Sequence, residues 1–411
     1  MRRLGGFLLA MMLLLRKVKG MNKVVSVWSN SPYQPTGYGV QAGHLVEHLV
    51  RDGYKTAALS NYGLEGNNST LQTPYGVIPH YARGMEAYSN DVAPMHHAHW
   101  LQQNPDAKDL FISLYDVWVL KGSAWDKMRK IASWTPLDHV TMPPLVEKWL
   151  RKKNVTPIAM SPFGVKQMND KDIDCLYVPH AVDTKVMKPT YEINTVPTRE
   201  YLGFGADDFV VGMVAANKAS GLVHRKAFSE NILAFSIFLQ SHPDAKLYLH
   251  TDPIGSAGGW NLLKLLEATG IPESAVRFPN LVDYKYGISP EILAAFMTTM
   301  DVMLAPSFGE GFGVPQMEAQ AVGTRVIGSD WAATPELLSN DCFLVEGQPT
   351  WDSGQDSWWM TPLVPSIVSA LEDAYNAPRE RSQVSIDFAK QFDVETVWDN
   401  YWTPALDKLF A

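Results

Sequence analysis

From Met21 to the C-terminus, short apolar runs alternate with stretches of helical periodicity. That alternation is the signature of parallel sheets covered by helices. Lys23–Trp28 (KVVSVW) predicts a first strand, and Ser29–Gly39 (SNSPYQPTGYG) a turn-rich loop. Val40, Leu45, Val46, Leu49 and Val50 then recur at helical spacing until Gly53. Further strands are predicted at Lys55–Ser60, Leu110–Leu114 and Pro157–Ser161, and the stretch Leu176–Pro179 closes this half.

Residues 184–200 hold two prolines and no clear period, so they read as a linker. The alternation then restarts. Strands are expected at Phe209–Ala215, Lys246–His250, Val276–Phe278 and Val302–Ala305. Helices are expected at Ser229–Leu239, Leu262–Ala268 and Pro290–Met297. Two α/β units joined once predict a ligand cleft between them.

The chain has 411 residues, 46% hydrophobic and 19% charged, enough for two cores and unlike a disordered protein. Cys175 and Cys342 are too few for a disulfide framework or a metal motif, and they fit a reducing, cytoplasmic setting. Residues 21–190 carry 17 basic and 15 acidic side chains, whereas residues 191–411 carry 13 and 28. An anionic ligand would therefore need local cations and backbone dipoles in the acidic half.

Within residues 1–20 the apolar run Phe7–Leu15 is too short to span a bilayer and lacks a small-residue cleavage site. It reads as an extension before Met21. The alternative is a basic-apolar anchor making peripheral membrane contact.

The densest chemistry lies in Pro306–Leu338 (PSFGEGFGVPQMEAQAVGTRVIGSDWAATPELL). A glycine-rich loop, Gly309–Gly313, follows a strand, and Pro315 opens a helix whose free N–H groups suit a diphosphate. Glu310 and Glu318 flank that helix start, where ionised carboxylates suit sugar and ribose hydroxyls. One first-turn Glu is usually dipole complementation, but that reading leaves the glycines, the proline and the second Glu without a reason.

This stretch resembles the E-x7-E signature of family 4 retaining glycosyltransferases, here Glu310 and Glu318. The resemblance implies the α/β GT-B fold: two Rossmann-like αβα domains facing a central cleft, with a C-terminal helix crossing back. It divides the chain into residues 1–20, an acceptor-side domain at 21–188, a donor domain at 189–390 and a returning helix at 391–411. It also implies that Glu310 with the backbone of Gly311, Phe312, Gly313 and Val314 holds a donor sugar and its phosphates. Glu318 would hold the ribose.

Thr36–Gly39 (TGYG) resembles the family's N-domain glycine motif, which gives Gly37 and Gly39 donor-phosphate contacts. Gly212–Phe235 resembles the first strand-loop-helix unit of the donor domain, with Arg225 and Lys226 as the diphosphate clamp. VPHAVD at Val178–Asp183 resembles the hinge element, and Phe392–Leu409 the last helix. Where many members carry His before Asp at an N-domain strand end, this chain has Tyr115 before Asp116. Tyr115 reads either as a hydroxyl facing the substrates or as a strand-end aromatic.

His96, His97 and His99 are an alternative source of that imidazole; they also resemble a metal site but lack a supporting carboxylate motif. With no DxD-type motif, and with the helix dipole, Arg225 and Lys226 to stabilise leaving-group charge, the expected reaction uses no metal and no cofactor beyond the nucleotide-diphosphate sugar. Trp358 and Trp359 read as packing residues, with sugar stacking the alternative. The implied activity is retaining transfer of a hexose from a UDP- or GDP-sugar to a hydroxyl of a glycan, lipid, protein or small molecule. Hydroxymethylated DNA bases are a second acceptor class, disfavoured by the acidity. An epimerase, a phosphorylase or a non-catalytic nucleotide-sugar binder are the readings outside transfer. Pro144–Lys153 predicts an amphipathic helix with Leu145, Trp149 and Leu150 inward. Its Lys148, Arg151 and Lys152 form either a solvated face or an anionic-acceptor patch.

Overall fold

Eight strands form the first sheet: β1 (Lys23–Asn30), β2 (Lys55–Tyr62), β3 (Ser69–Thr73), β4 (Gly76–Tyr81), β5 (Lys108–Leu114), β6 (Ile131–Thr135), β7 (Val155–Ala159) and β8 (Leu176–Tyr177). Their order is β3-β4-β2-β1-β5-β6-β7-β8, and every pairing is parallel except β3 with β4. The chain is seen here in a computed structural model that describes residues 20–219 and 223–411. The apolar run at Phe7–Leu15 lies outside the described residues.

β1 is buried along almost its whole length, as expected of a strand covered on both faces. The helix Gly37–Arg51 follows it, buries Ala42, Leu45, Val46 and Leu49, and starts two residues earlier than the end of the predicted loop. Its start is fixed by Thr36, whose hydroxyl accepts from the Gly39 N–H at 3.1 Å, a cap worth about 1 kcal/mol.

A small hairpin, β9 (Glu192–Ile193) and β10 (Val196–Pro197), lies within the stretch read as linker. The second sheet is wholly parallel, in the order β13-β12-β11-β14-β15-β16. Its strands are β11 (Phe209–Val214), β12 (Ala245–His250), β13 (Val276–Arg277), β14 (Val302–Leu304), β15 (Arg325–Ser329) and β16 (Phe343–Val345). An antiparallel hairpin follows, β17 (Gly347–Asp352) and β18 (Ser357–Pro362). The apolar periodicity did not announce it.

Strand order reverses between β1 and β5 in one sheet and between β11 and β14 in the other. Ligands of open α/β sheets bind outside the carboxyl ends of strands at such points.

The backbone passes between the two sheets twice, and the two passages are hydrogen-bonded to each other. Val182 N–H donates to Phe392 at 2.9 Å and Val394 N–H to Val182 at 3.1 Å. Beyond that point the C-terminal segment returns to the first sheet through Val394–Val397, a wider turn at Trp398–Trp402 and Thr403–Phe410. Trp398 Nε1 donates to Asp52 at 2.9 Å, Arg51 pairs with Glu395 at 2.7 Å, and Trp402 packs edge-on to Trp134. This is the returning helix the resemblance implied.

The helix at Pro144–Leu150 corrects one expectation. Val146, Trp149 and Leu150 form its inward stripe at helical spacing, and Leu145 is 51% exposed. Arg151 pairs with Glu147 and Lys152 with Asp126, which spends much of the basic face locally.

Candidate functional site

The glycine-rich loop and the Arg225–Lys226 loop meet at the β11/β14 reversal. Buried Asn231 pins them together: its Nδ2 donates to the Lys226 carbonyl at 3.2 Å and to the Pro306 carbonyl at 3.0 Å. Phe308 N–H donates to the Arg225 carbonyl at 2.8 Å. Sequence reading passed over Asn231, because a polar residue in a helix's first turn carries no local signal of what it ties.

Three of the expected residues converge. Lys226 Nζ lies 2.5 Å from Glu310 Oε1, and Arg225 Nη1 lies 3.3 Å from Glu310 Oε2 and 2.5 Å from the Gly309 carbonyl. Burial alone would raise the Glu310 carboxyl, but Lys226 and Arg225 outweigh it and hold the group ionised below its ordinary range. Burial and the adjacent guanidinium pull the Lys226 ammonium down.

The helix Val314–Ala321 begins beside this cluster, with Gly313 as its left-handed cap at φ 83°. The N–H groups of Gly311, Phe312, Gly313 and Val314 donate to no group among the described residues. A row of free donors at a helix start is an anion-binding arrangement. Lys226, Glu310, Gly313 and Gln316 line one cavity with the ends of β11 and β14, about 300 Å³ including its open mouth. Gln316 Oε1 is buried there without a hydrogen-bond partner among the described residues. The Phe312 ring points elsewhere, packing on His180 and Phe392, so only its backbone serves the loop.

Glu318 sits on the same helix beyond its first turn, not at the helix start as the sequence suggests, because the helix begins at Val314; desolvation pushes its carboxyl up to about 7. It lies apart from the Arg225–Lys226–Glu310 cluster, with no ion pair among the described residues.

The first domain brings its own groups to the β1/β5 reversal. Gly37, in the first helical turn, faces the Val314 side chain across the cleft, since a Cβ placed there would lie 3.9 Å from Val314 Cγ2. Gly39 answers a local need, because a Cβ there would strike the Gln34 carbonyl oxygen of its own loop.

Tyr38 Oη donates to Asp116 Oδ2 at 3.2 Å. Burial and nearby Asp138 push the Asp116 carboxyl up to about 6, against Arg225 and the Tyr38 hydrogen bond. The Tyr115 ring packs against Trp28, Tyr38 and Tyr88. Sequence reading singled out neither Tyr38 nor Asp138. Asp138 Oδ2 stands 3.5 Å from Arg225 Nη1, across the domain boundary.

His97 turns away from His96 and His99, which both meet Tyr81: His97 bonds Ser26, His99 bonds Tyr81, and His96 stacks on Tyr81. No cluster of three or more metal-ligating side chains occurs among the described residues, and no helix among them is long and apolar enough to cross a membrane.

Residues 219–351 match a family model described as "Glycosyl transferases group 1". A D-inositol 3-phosphate glycosyltransferase of Paenarthrobacter aurescens is 28% identical over 219 residues, 52% of this chain and 46% of that protein. An MMP alpha-(1->4)-mannosyltransferase of Mycolicibacterium hassiacum is 30% identical over 123 residues, 29% of this chain and 27% of that protein. The chain thus matches less than half the length of these curated relatives.

Among solved structures, a sucrose-phosphate synthase from Thermosynechococcus elongatus superposes with a TM-score of 0.71 at 18% identity, covering 94% of this chain and 99% of that one. Anabaena Alr3699/HepE in complex with UDP and glucose gives 0.59 at 16% identity, covering 94% and 99%. These likenesses establish the fold, two Rossmann-like domains in the GT-B arrangement.

Proposed function

With a glycosyl transferases group 1 domain at residues 219–351 of a GT-B fold as the premise, we propose that this chain is a retaining glycosyltransferase. It transfers a hexose from a nucleotide-diphosphate sugar to a hydroxyl acceptor. The observation that carries this reading is the row of N–H groups at Gly311–Val314 that donate to nothing among the described residues, beside the cavity that Gly313 lines with Lys226 and Glu310 at the β11/β14 reversal.

In this reading the helix start, Arg225 and Lys226 bind the diphosphate and stabilise the charge that grows on it as the sugar–phosphate bond breaks. Glu310 accepts from sugar hydroxyls and Glu318 from the ribose. Gly37, facing Val314, brings the first domain's helix start to the phosphates. Asp116, held by Tyr38, lies on the acceptor side. With Arg225 and Lys226 supplying positive charge, no divalent ion is required. The relatives support the reaction class: two are glycosyltransferases, and one structural neighbour is in complex with UDP and glucose.

The test is a thermal-shift panel of UDP- and GDP-sugars followed by turnover with the stabilising donor. A cognate donor raises the melting temperature by mass action. Nuclear magnetic resonance of the product should show the donor's anomeric configuration kept. An inverted product removes the retaining assignment, and the absence of any stabilising nucleotide sugar removes the proposal.

A further inference from the structure

Between the first domain and the β17–β18 hairpin lies an imidazole that the catalytic reading does not use. His139 is 4% exposed, and its two ring nitrogens face carboxylates of different domains. Nδ1 lies 2.7 Å from Asp138 Oδ1, and Nε2 lies 3.1 Å from Asp352 Oδ2 on β17. The ring is stacked on Trp359 of β18 at 4.7 Å between centroids. The next residue extends the junction, as Val140 and Trp358 exchange backbone hydrogen bonds of 3.0 and 3.1 Å. The Asp138 oxygen that His139 leaves unused is the one 3.5 Å from Arg225.

We propose that His139 is a positioning residue that couples docking of the β17–β18 hairpin to the placement of Arg225, so that closing the cleft and setting the diphosphate cations are one event. This rests on the proposed transferase reading for its effect on turnover. Its geometric core, an interdomain latch, stands without it.

The physical argument is one of connected constraints. A carboxylate on a free loop samples several rotamers, and each side-chain rotamer frozen costs free energy. His139 fixes Asp138 only while Asp352 fixes His139, because a doubly hydrogen-bonded imidazolium has both ring orientations determined. Arg225 then finds its third oxygen, Asp138 Oδ2, in place beside the Gly309 carbonyl and Glu310 Oε2. The groups that face the imidazole are Asp138, Asp352 and the Trp359 ring, with Arg225 beyond Asp138. Burial opposes protonation of His139, but the two carboxylates more than offset it and raise its pKa. A raised imidazole pKa stabilises the latch below the unfolded value of about 6.5. That contribution is lost as pH rises through the folded value.

The test uses His139→Gln and Asp352→Asn in the full chain with two independent readouts. The first is amide hydrogen exchange at Val140 and Trp358, corrected for the intrinsic pH dependence of exchange. Wild type should protect both amides at pH 6 and progressively lose protection toward pH 9. His139→Gln should show low protection throughout. The second is donor kcat/KM, which should fall on the order of ten- to a hundredfold in both variants through misplacement of Arg225. The melting temperature of His139→Gln should fall at pH 6 and approach that of wild type toward pH 9, and the alkaline decline of wild-type kcat/KM should flatten in this variant.

Equal, pH-independent protection of Val140 and Trp358 in wild type and His139→Gln overturns the latch, whatever the enzyme's activity. Lost protection with unchanged kcat/KM and pH profile overturns the coupling to Arg225. Absence of wild-type turnover with every nucleotide sugar would count against the transferase reading, and the exchange result would still decide the latch.

Discussion

Gly309 lies directly against Asp138: a Cβ on Gly309 would collide with the Asp138 carbonyl oxygen. The glycine-rich loop therefore serves two masters. At Gly311–Val314 it offers backbone donors, and at Gly309 it lets the backbones of the two domains touch. Gly311 makes a similar approach, 2.7 Å from Pro136 Cβ to an added Cβ.

Gly309→Ala should hold the domains apart. Overpacking of this kind costs about 1–3 kcal/mol, which shifts the closed-to-open ratio by roughly 5- to 150-fold. Small-angle scattering should show a larger radius of gyration, and turnover should fall at least tenfold. A variant as compact and as active as wild type would mean the contact is not needed for function.

Lys226→Ala should weaken binding of UDP or GDP, whichever the protein prefers. Charge-assisted contacts contribute about 1.5–3 kcal/mol, so titration calorimetry should read a loss of about 10- to 150-fold in Kd. Unchanged affinity would remove Lys226 from the diphosphate site.

Nucleoside diphosphate affinity should rise with pH around neutrality. Glu318 is held up to about 7 by desolvation, and ribose hydroxyls donate to its ionised form, so binding favours the deprotonated protein. Between pH 6 and pH 8 the Kd should tighten several-fold, up to about tenfold, and Glu318→Gln should flatten that trend. The same shift has the opposite sign for stability. An acid with a raised folded pKa loses stability as pH climbs from its unfolded value of about 4.3 through 7. Glu318→Gln should therefore melt higher than wild type at pH 8 and not at pH 4.

Excess EDTA should leave turnover intact. The carboxylates nearest the cavity are already engaged: Glu310 by Lys226 and Arg225, Asp138 by His139, and Asp116 by Tyr38. Loss of activity restored by magnesium or manganese would show that a cation acts here.

The glycine loop, Pro315 and the carboxylates at Glu310 and Glu318 were readable because strand, loop and helix start are contiguous, so their spacing carries the geometry. Arg225 and Lys226 were found through resemblance, and the structure brings them to Glu310 from 84 or 85 residues away. Contacts with no local pattern were not readable. His139 and Asp352 are 213 residues apart, and each looks like an ordinary surface residue in its own segment. The hairpin that carries Asp352 was hidden for another reason. Its polar turn broke the periodicity, and Trp358 and Trp359 point to opposite faces, the first 42% exposed and the second stacked on His139. Leu145 was misplaced because Val146 completes a better inward stripe with Trp149 and Leu150.

The two backbone passages joined at Val182 and Asp393 also fix how the protein can move. A single strand of chain would let the domains swivel in any direction. Two adjacent strands, stitched by hydrogen bonds in both senses, behave as neighbouring pins on one axle. Rotation about that axle is cheap, and sideways slip breaks the stitch. Displacement during such a rotation grows with distance from the axis, so a rotation of a few degrees would barely strain Val182 while carrying more distant contacts apart. Residues at the joint therefore set the path of the motion, and those at the rim sense its extent.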